Sequence, residues 1–270
     1  MPVHAIHALD DPLLAPYRNL KDKELARDGG RYIAEGENVV RRLLASGLPV
    51  ESLLIAQRKR HAIEPLVPAH IPIFVGGDDL IESVIGFEFH SGVLGCGIRS
   101  ASPGLAAVIP PPGSPALLTV CQEIANTENL GALIRISAAF GADAMMLGER
   151  CCDPFFRQSI RVSMGAVFAL PIIRSSDLLG DLDALSREFG VQRMAAVLST
   201  DAEPLKSVLP QRRMAIVFGN EAQGLDQATI GHCDRRLTIP MQLGTDSLNV
   251  AVAAAVFLFH LTETSSPPNW

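Results

Sequence analysis

From residue 117 onward the chain repeats one pattern: a short apolar run, a polar or glycine-bearing turn, then a stretch with helical spacing. Residues 117–124, 144–148, 193–199, 214–219 and 235–240 read as strands. Residues 129–140, 155–168, 177–189 and 248–261 read as helices. A strand that is apolar on both faces must be covered on both faces, and helices returning between such strands set them parallel. The pattern therefore predicts an α/β domain with a mostly parallel sheet and helices on both faces.

The first 98 residues alternate less regularly. Residues 31–34, 50–56, 71–75 and 92–98 look extended, and 37–45 forms a helical stretch with Val39, Val40, Leu43 and Leu44 on one face. Another helix opens at Asp78 and Asp79. This predicts a small N-terminal α/β domain over 1–98. Pro110, Pro111 and Pro112 donate no backbone hydrogen bond and favour an extended spacer, so 99–115 reads as a linker to a domain over 116–263, with 264–270 as a tail.

Composition narrows the classes. Hydrophobic residues make up 48 % of the 270, enough for a core. The longest apolar run, 250–259, is about half of what a bilayer-spanning helix needs, so no membrane role is expected. Five cysteines with no C-x-x-C spacing and seven scattered histidines imply no metal site, and a cytoplasmic location is the expectation. The net charge of −6 argues against a general nucleic-acid binder, so any RNA contact must use clustered cations.

Three stretches carry candidate chemistry. The first, NTENLGALIR over 126–135, follows a buried strand and opens a helix, where ligands bind in parallel sheets. Asn129 could cap that helix, and Arg135 could hold a phosphate by two parallel bonds or simply snorkel at the surface. The second, MAIVFGNEAQGL over 214–225, is strand, tight loop and helix, with Glu221 beside Gly219. Its glycines serve a ligand's close approach or only the turn. In the third, IPM over 239–241 and then DSLNVAVAAA over 246–255, Asp246 or Ser247 caps a helix whose first turn carries Asn249. Phosphate-binding, dinucleotide-binding, serine-hydrolase and zinc-protease motifs do not occur.

Taken in this order and spacing, N-L-G-x-x-x-R, F-G-N-E-x-x-G-L and I-P-M with S-L-N-V-A-V-A resemble the SpoU-type (TrmH-like) RNA 2′-O-ribose methyltransferases of the SPOUT superfamily. The likeness covers 117–261, and SIRVSMGAVFALP over 159–171 adds to it. The AEGEN stretch over 34–38 before an apolar helix resembles that family's substrate-binding domain, which is similar to kink-turn-binding ribosomal proteins. The resemblance implies a C-terminal trefoil knot, S-adenosylmethionine as methyl donor, a homodimer and an RNA substrate, ribosomal RNA ahead of transfer RNA. A non-catalytic RNA-binding protein on the same fold is the alternative. It also implies Gly219, Ile239 and Leu248 as cofactor-binding and Asn129, Arg135, Glu221, Ser247 and Asn249 as catalytic. Three positions depart from the family pattern: Ala222, Asp226, and Leu243 before Gly244.

The expected RNA face is basic: Arg18, Lys21, Lys23, Arg27, Arg31, Arg41, Arg42, Arg58, Lys59 and Arg60, with Arg157, Arg161 and Arg174 as further candidates. The plain alternative is solvated charge, since acidic residues are interleaved. On the RNA-face reading, reversing the charge of Arg41 and Arg42 weakens RNA binding and leaves cofactor binding intact.

Overall fold

A computed structural model describes residues 2–18, 20, 30–86, 90–242 and 247–262. Lys21, Lys23, Arg27, Leu243, Gly244 and Asp246 lie outside the described residues. The chain forms two compact units, Met1–Ala101 with Asp153–Ala169, and Ser102–Cys152 with Leu170–Trp270.

The first unit is built on a five-stranded sheet of β1 (Val3–Ala5), β2 (Arg31–Glu35), β3 (Val50–Ala56), β4 (Ile73–Gly76) and β5 (Val93–Ile98), in the order β1-β4-β3-β5-β2. The pairs among β1, β4 and β3 are parallel, and β5 runs antiparallel to β3 and β2. Helices α1 (Glu37–Ala45) and α2 (Asp78–Ile85) follow β2 and β4. Burial of Val39, Val40 and Leu43 puts the expected face of α1 inward, and Leu44, half-buried, flanks it.

The second unit starts before the expected 116. Leu105, Val108 and buried Ile109 pack on its core, and Arg213 donates to the carbonyls of Pro110, Pro111, Ser114 and Phe189. Residues 102–115, read from sequence as part of a spacer, are thus anchored to this unit. A run of prolines leaves carbonyls without matching N–H donors, and a guanidinium with five donors satisfies several at once.

Chain order then gives β6 (Ala116–Cys121), α3 (Thr127–Ala139) and β7 (Ala144–Leu147). Residues Asp153–Ala169, with α4 (Arg157–Val162), belong to the first unit, although the sequence pattern places them in the C-terminal half. Side chains there explain the grouping. Tyr32 stacks against Phe155 and Phe168 with centroids 4.8 and 5.8 Å away, and Arg99 pairs with Asp153 at 2.6 Å while lying over Phe155. Arg157 faces Glu35 at 3.8 Å, and Arg42 donates to the carbonyl of Met164. Met164 has φ +53°, a left-handed conformation costing a non-glycine residue roughly 1–2 kcal/mol, which the clamp helps to hold.

The rest of the second unit is β8 (Ile172–Arg174), α5 (Leu178–Arg187), β9 (Gln192–Ala196), β10 (Glu203–Pro204), β11 (Arg213–Phe218), α6 (Gln227–Gly231), β12 (Arg235–Thr238) and α7 (Val250–Thr262). Its seven strands run β10-β12-β9-β11-β6-β7-β8, and every pair is parallel. From β6 the chain goes first to β7 and β8 on one side and later fills β9 and β11 on the other. Neighbouring strands that leave in opposite directions open a crevice at their carboxyl ends, here between β6 and β11. The core joins Leu118, Val120, Met146, Ala215 and Val217 to Leu182 and Leu185 of α5. Ser137 of α3 donates to or accepts from Thr119 of β6 at 2.9 Å, tying that helix to the sheet. No helix among the described residues is long and apolar enough to cross a membrane.

The described part of the basic face is largely engaged. Arg41 and Lys59 pair with Glu37, Arg58 with Asp78, Arg60 with Glu64 and Arg31 with Glu51, while Arg18 binds the carbonyls of Leu9 and Asp11. Charge reversal at Arg42 would also remove the Met164 clamp, so a loss of stability is expected beside any effect on RNA binding.

The Tyr32 stack requires Gly97, because a Cβ there would lie 2.2–2.5 Å from the tyrosine ring. Gly97→Ala is expected to cost about 1–3 kcal/mol by overpacking, read as a lower midpoint in denaturant unfolding followed by first-unit probes. An unchanged midpoint would show that the stack does not hold 153–169.

Candidate functional site

The site is assembled from loops leaving the carboxyl ends of β6, β9, β11 and β12. Strand β11 ends at Phe218, and the next residue, Gly219, is buried with its Cα against the loop it opens. A Cβ at 219 would stand 2.2–2.4 Å from backbone atoms of Gly224 and Leu225. Only glycine lets the loop fold back so that Asn220 and Gly224 exchange hydrogen bonds of 3.0 and 2.9 Å, with Gly224 at φ +69°. The Asn220 side chain accepts from the amides of Ala222 and Gln223 and donates to Glu123 O at 3.3 Å. The loop is thereby closed on itself and tied to the end of β6.

A second tie lies at its far end. Gln122 is buried and exchanges hydrogen bonds with Asp226, whose amide donates to Gln122 Oε1 at 3.1 Å. Asp226 also caps α6 through the Thr229 amide, and Arg150 lies 3.9 Å away. The Thr229 amide, then the Thr229 hydroxyl, Gln122 and Arg150, hold its carboxyl below the usual carboxylate range. This departure from the family pattern therefore fastens the loop. Sequence reasoning missed Gln122, Asn220 and the role of Asp226, since polar residues after a strand carry no mark of their partner.

Glu221 projects from that loop to the start of α3. There Asn126, not Asn129, is the cap: its Oδ1 accepts from the amides of Glu128 at 2.7 Å and Asn129 at 3.1 Å. The Asn129 side chain is left free to donate to Glu221 Oε1 at 3.0 Å and to accept from Asn249 Nδ2 at 2.9 Å. Asn249 in turn accepts through Oδ1 from Ala251 N at 2.9 Å and Val252 N at 3.4 Å, so it caps α7. Asp246 or Ser247 was the expected cap; Asp246 is outside the described residues, and Asn249 does the capping.

The direction of this chain of bonds is determined at both ends. A carboxylate only accepts, and helix N-terminal amides only donate. Glu221 must receive the amide nitrogen of Asn129, and the α7 amides must receive the oxygen of Asn249. The two asparagines between them then have one consistent orientation. All three candidate stretches are joined by it.

Gly219, Glu221, Ile239, Ser247, Leu248 and Asn249 line one cavity of about 700 Å³, together with residues 196–199 and apolar Met241 and Phe257. That volume suits a nucleoside-sized ligand. Arg236 is the only cation among the described lining residues, and Asp201 pairs with it at 3.0 Å. Ile239 and Leu248 are half-buried, and Ser247 and Asn249 are exposed. The cavity residues fit S-adenosylmethionine: apolar Ile239, Met241 and Phe257 for a purine, polar Ser247 and Asn249 for its polar groups, and no unpaired cation among the described lining residues to oppose a sulfonium.

Neither Asn129 nor Arg135 lines this cavity, although Asn129 bonds to Glu221 and Asn249, which do. Six residues along α3 turn a side chain by roughly 120° from Asn129 and carry it about 9 Å down the axis. Arg135 is exposed, with no hydrogen bond or ion pair among the described residues. Cysteine chemistry has no place here either. Burial pushes the thiols of Cys121 and Cys151 up, away from reactive thiolates. Among the described residues no cluster of three His, Cys, Asp or Glu could hold a metal ion.

Comparison with known proteins places these features in context. The SpoU rRNA Methylase family matches residues 116–259. The chain is 33 % identical over 263 residues to an uncharacterized tRNA/rRNA methyltransferase of Mycobacterium tuberculosis, covering 94 % of this chain and 90 % of that one. It is 27 % identical over 249 residues to the 23S rRNA (guanosine(2553)-2′-O)-methyltransferase RlmP of Bacillus subtilis, covering 91 % and 94 %. Its fold matches an AdoMet-bound rRNA methyltransferase structure from Sinorhizobium meliloti with TM-score 0.86 and 24 % identity, over 98 % of this chain and 99 % of that one.

Two substitutions test the construction. Gly219→Ala should open the loop and weaken S-adenosylmethionine binding about tenfold or more; calorimetry giving an unchanged Kd would contradict it. Asn249→Asp keeps a good helix cap but sets an oxygen against Asn129 Oδ1, so Asn129 must turn away from Glu221. A double-mutant cycle of Asn129→Ala and Glu221→Ala should show about 1 kcal/mol of coupling in the parent protein and none in the Asn249→Asp background. Coupling that survives Asn249→Asp would disprove the fixed direction.

Proposed function

The chain belongs to the SpoU rRNA Methylase family, and from that premise we propose that it transfers a methyl group from S-adenosylmethionine to a ribose 2′-hydroxyl of ribosomal RNA. The observation that carries this reading is the convergence of Gly219, Ile239, Leu248, Glu221, Ser247 and Asn249 on one cavity at the carboxyl edge of a parallel sheet. Relatives named as 23S rRNA 2′-O-methyltransferases, RlmP of Bacillus subtilis and RlmB of Acinetobacter baylyi, support the substrate.

When bound, S-adenosylmethionine supplies an electrophilic methyl. The residues of this chain do the rest. Main chain at Gly219, Ile239 and Leu248 would hold the cofactor, and the apolar wall would exclude water. Asn129, Ser247 and Asn249 would orient the ribose, whose oxygen must come within roughly 3–3.5 Å of the methyl carbon and in line. Glu221 would fix Asn129 by accepting from its Nδ2, which leaves Asn129 Oδ1 turned to Asn249. A guanidinium is a donor with no acceptor, so the part of Arg135 is to clamp a phosphate and stabilise developing negative charge, and the proton released from the 2′-hydroxyl would pass to solvent.

A homodimer belongs to the same proposal, because Arg135 does not reach the cavity of its own chain. Helix α7 is apolar on every side: Ala251, Ala254, Phe257, Leu258 and Leu261 are buried, yet Val252, Val256 and Phe259 are 50 %, 39 % and 54 % exposed. A helix apolar all round is normally covered all round. A second copy laid on this stripe would cover it and bring its Arg135, on the neighbouring α3, towards the cavity. The trefoil knot, a cytoplasmic location, and RNA binding by the 1–98 domain also form part of this reading.

The test is incubation with labelled S-adenosylmethionine and total RNA from cells lacking the protein. Label should enter ribosomal RNA at linkages that resist alkali, the mark of 2′-O-methylation. Label in a base, or in transfer RNA alone, would overturn the assignment. Mixing Arg135→Ala with Asn249→Ala subunits should restore transfer above either variant alone; activity no greater than their sum would remove the shared site.

A further inference from the structure

An acidic chain that binds RNA depends on its few cations without internal partners, because each phosphate contact requires a positive group able to release a counterion. In the first unit nearly every described cation is already engaged by a carboxylate or a carbonyl, as the ion pairs of Arg31, Arg41, Arg58, Lys59, Arg60, Arg99 and Arg157 show. Arg161 is different. It is exposed, at the end of α4, with neither a hydrogen bond nor an ion pair among the described residues.

Its backbone, by contrast, is held from both sides. Upstream, Asp153 binds Arg99 and Phe155 stacks on Tyr32; downstream, Arg42 holds the Met164 carbonyl and Phe168 returns to Tyr32. A cation on a fixed backbone with a free guanidinium loses little order on binding and offers a planar fork to phosphate oxygens.

We propose that Arg161 binds a backbone phosphate of the RNA substrate. The inference rests on the RNA methyltransferase reading and adds to it a contact outside the cavity. A phosphate contact positions the RNA and carries no sequence information. Loss of Arg161 therefore weakens binding to all RNAs alike and leaves the cofactor site untouched.

The experiment compares the protein and its Arg161→Glu, Arg161→Lys and Arg187→Gln variants on ribosomal RNA fragments across a salt series. Arg161→Glu should raise KM for RNA about tenfold, flatten the log–log salt dependence by about 0.7–1, and keep the parent S-adenosylmethionine affinity. Arg161→Lys should recover most of the salt slope, and Arg187→Gln, whose partner is Asp183, should leave it unchanged. If Arg161 served only to stabilise the end of α4, its variants would shift the melting temperature and not the salt slope, which overturns the proposal. RNA affinity and slope equal to the parent's in Arg161→Glu overturn it while leaving the methyltransferase reading intact. A parent protein that neither binds nor methylates RNA overturns both.

Discussion

Three loops far apart in sequence are joined by one polarised line of hydrogen bonds, from the carboxylate of Glu221 through the amides of Asn129 and Asn249 to the first amides of α7. Its strength lies less in any single bond, each worth about 1 kcal/mol net, than in its direction. An acceptor-only group at one end and a donor-only helix terminus at the other leave the two asparagines no choice of rotation. The polar side chains on this side of the cavity are thus oriented by the chain's own hydrogen bonds.

That line works only because the sheet beneath it is rigid. Strands β6 and β11 lie side by side in parallel, with Met214 to Phe218 paired in register with Leu117 to Cys121, so the loops leaving them start from fixed points. Gly219 lets the β11 loop turn back through a space that no side chain could share, and Asn220 and the Gln122–Asp226 pair fasten its two ends to β6. Where Asp226 departs from the family pattern, the hydrogen bonds show a local replacement: its carboxylate caps α6 and takes the Gln122 amide together.

Much of this was legible in the sequence. The apolar strands and intervening helices of the second unit followed from periodicity, and α1 falls on the expected 37–45. Spacing places Gly219 and Glu221 at a strand end and Asn249 at a helix start, while the grouping of Gly219, Glu221, Ile239, Ser247, Leu248 and Asn249 into one site comes from the family resemblance. What sequence spacing does not carry is which side chain meets which. Asn126 and Asn129 are equally good caps on paper, and only the position of Glu221 across the cleft decides that Asn126 caps while Asn129 bridges. The same holds for Asn249, which takes a capping role open to Asp246 or Ser247.

The same blindness to partners explains the other differences. Pro110 to Pro112 look like a spacer until Arg213 is found among their carbonyls. Interleaved charges are visible in the sequence, but not which of them pair: Arg41 takes Glu37, Arg58 takes Asp78 and Arg60 takes Glu64. Arg135 lies on the correct helix by spacing, yet the turn of that helix carries it away from its own cavity. The most direct measurement is an atomic-resolution crystal structure of the protein with S-adenosylhomocysteine. The account requires the ligand in contact with the main chain of Gly219, Ile239 and Leu248, with Asn129 Nδ2 on Glu221 and Asn249 Nδ2 on Asn129 Oδ1. A ligand bound elsewhere, or an Asn129 amide turned with its oxygen towards Glu221, would contradict it.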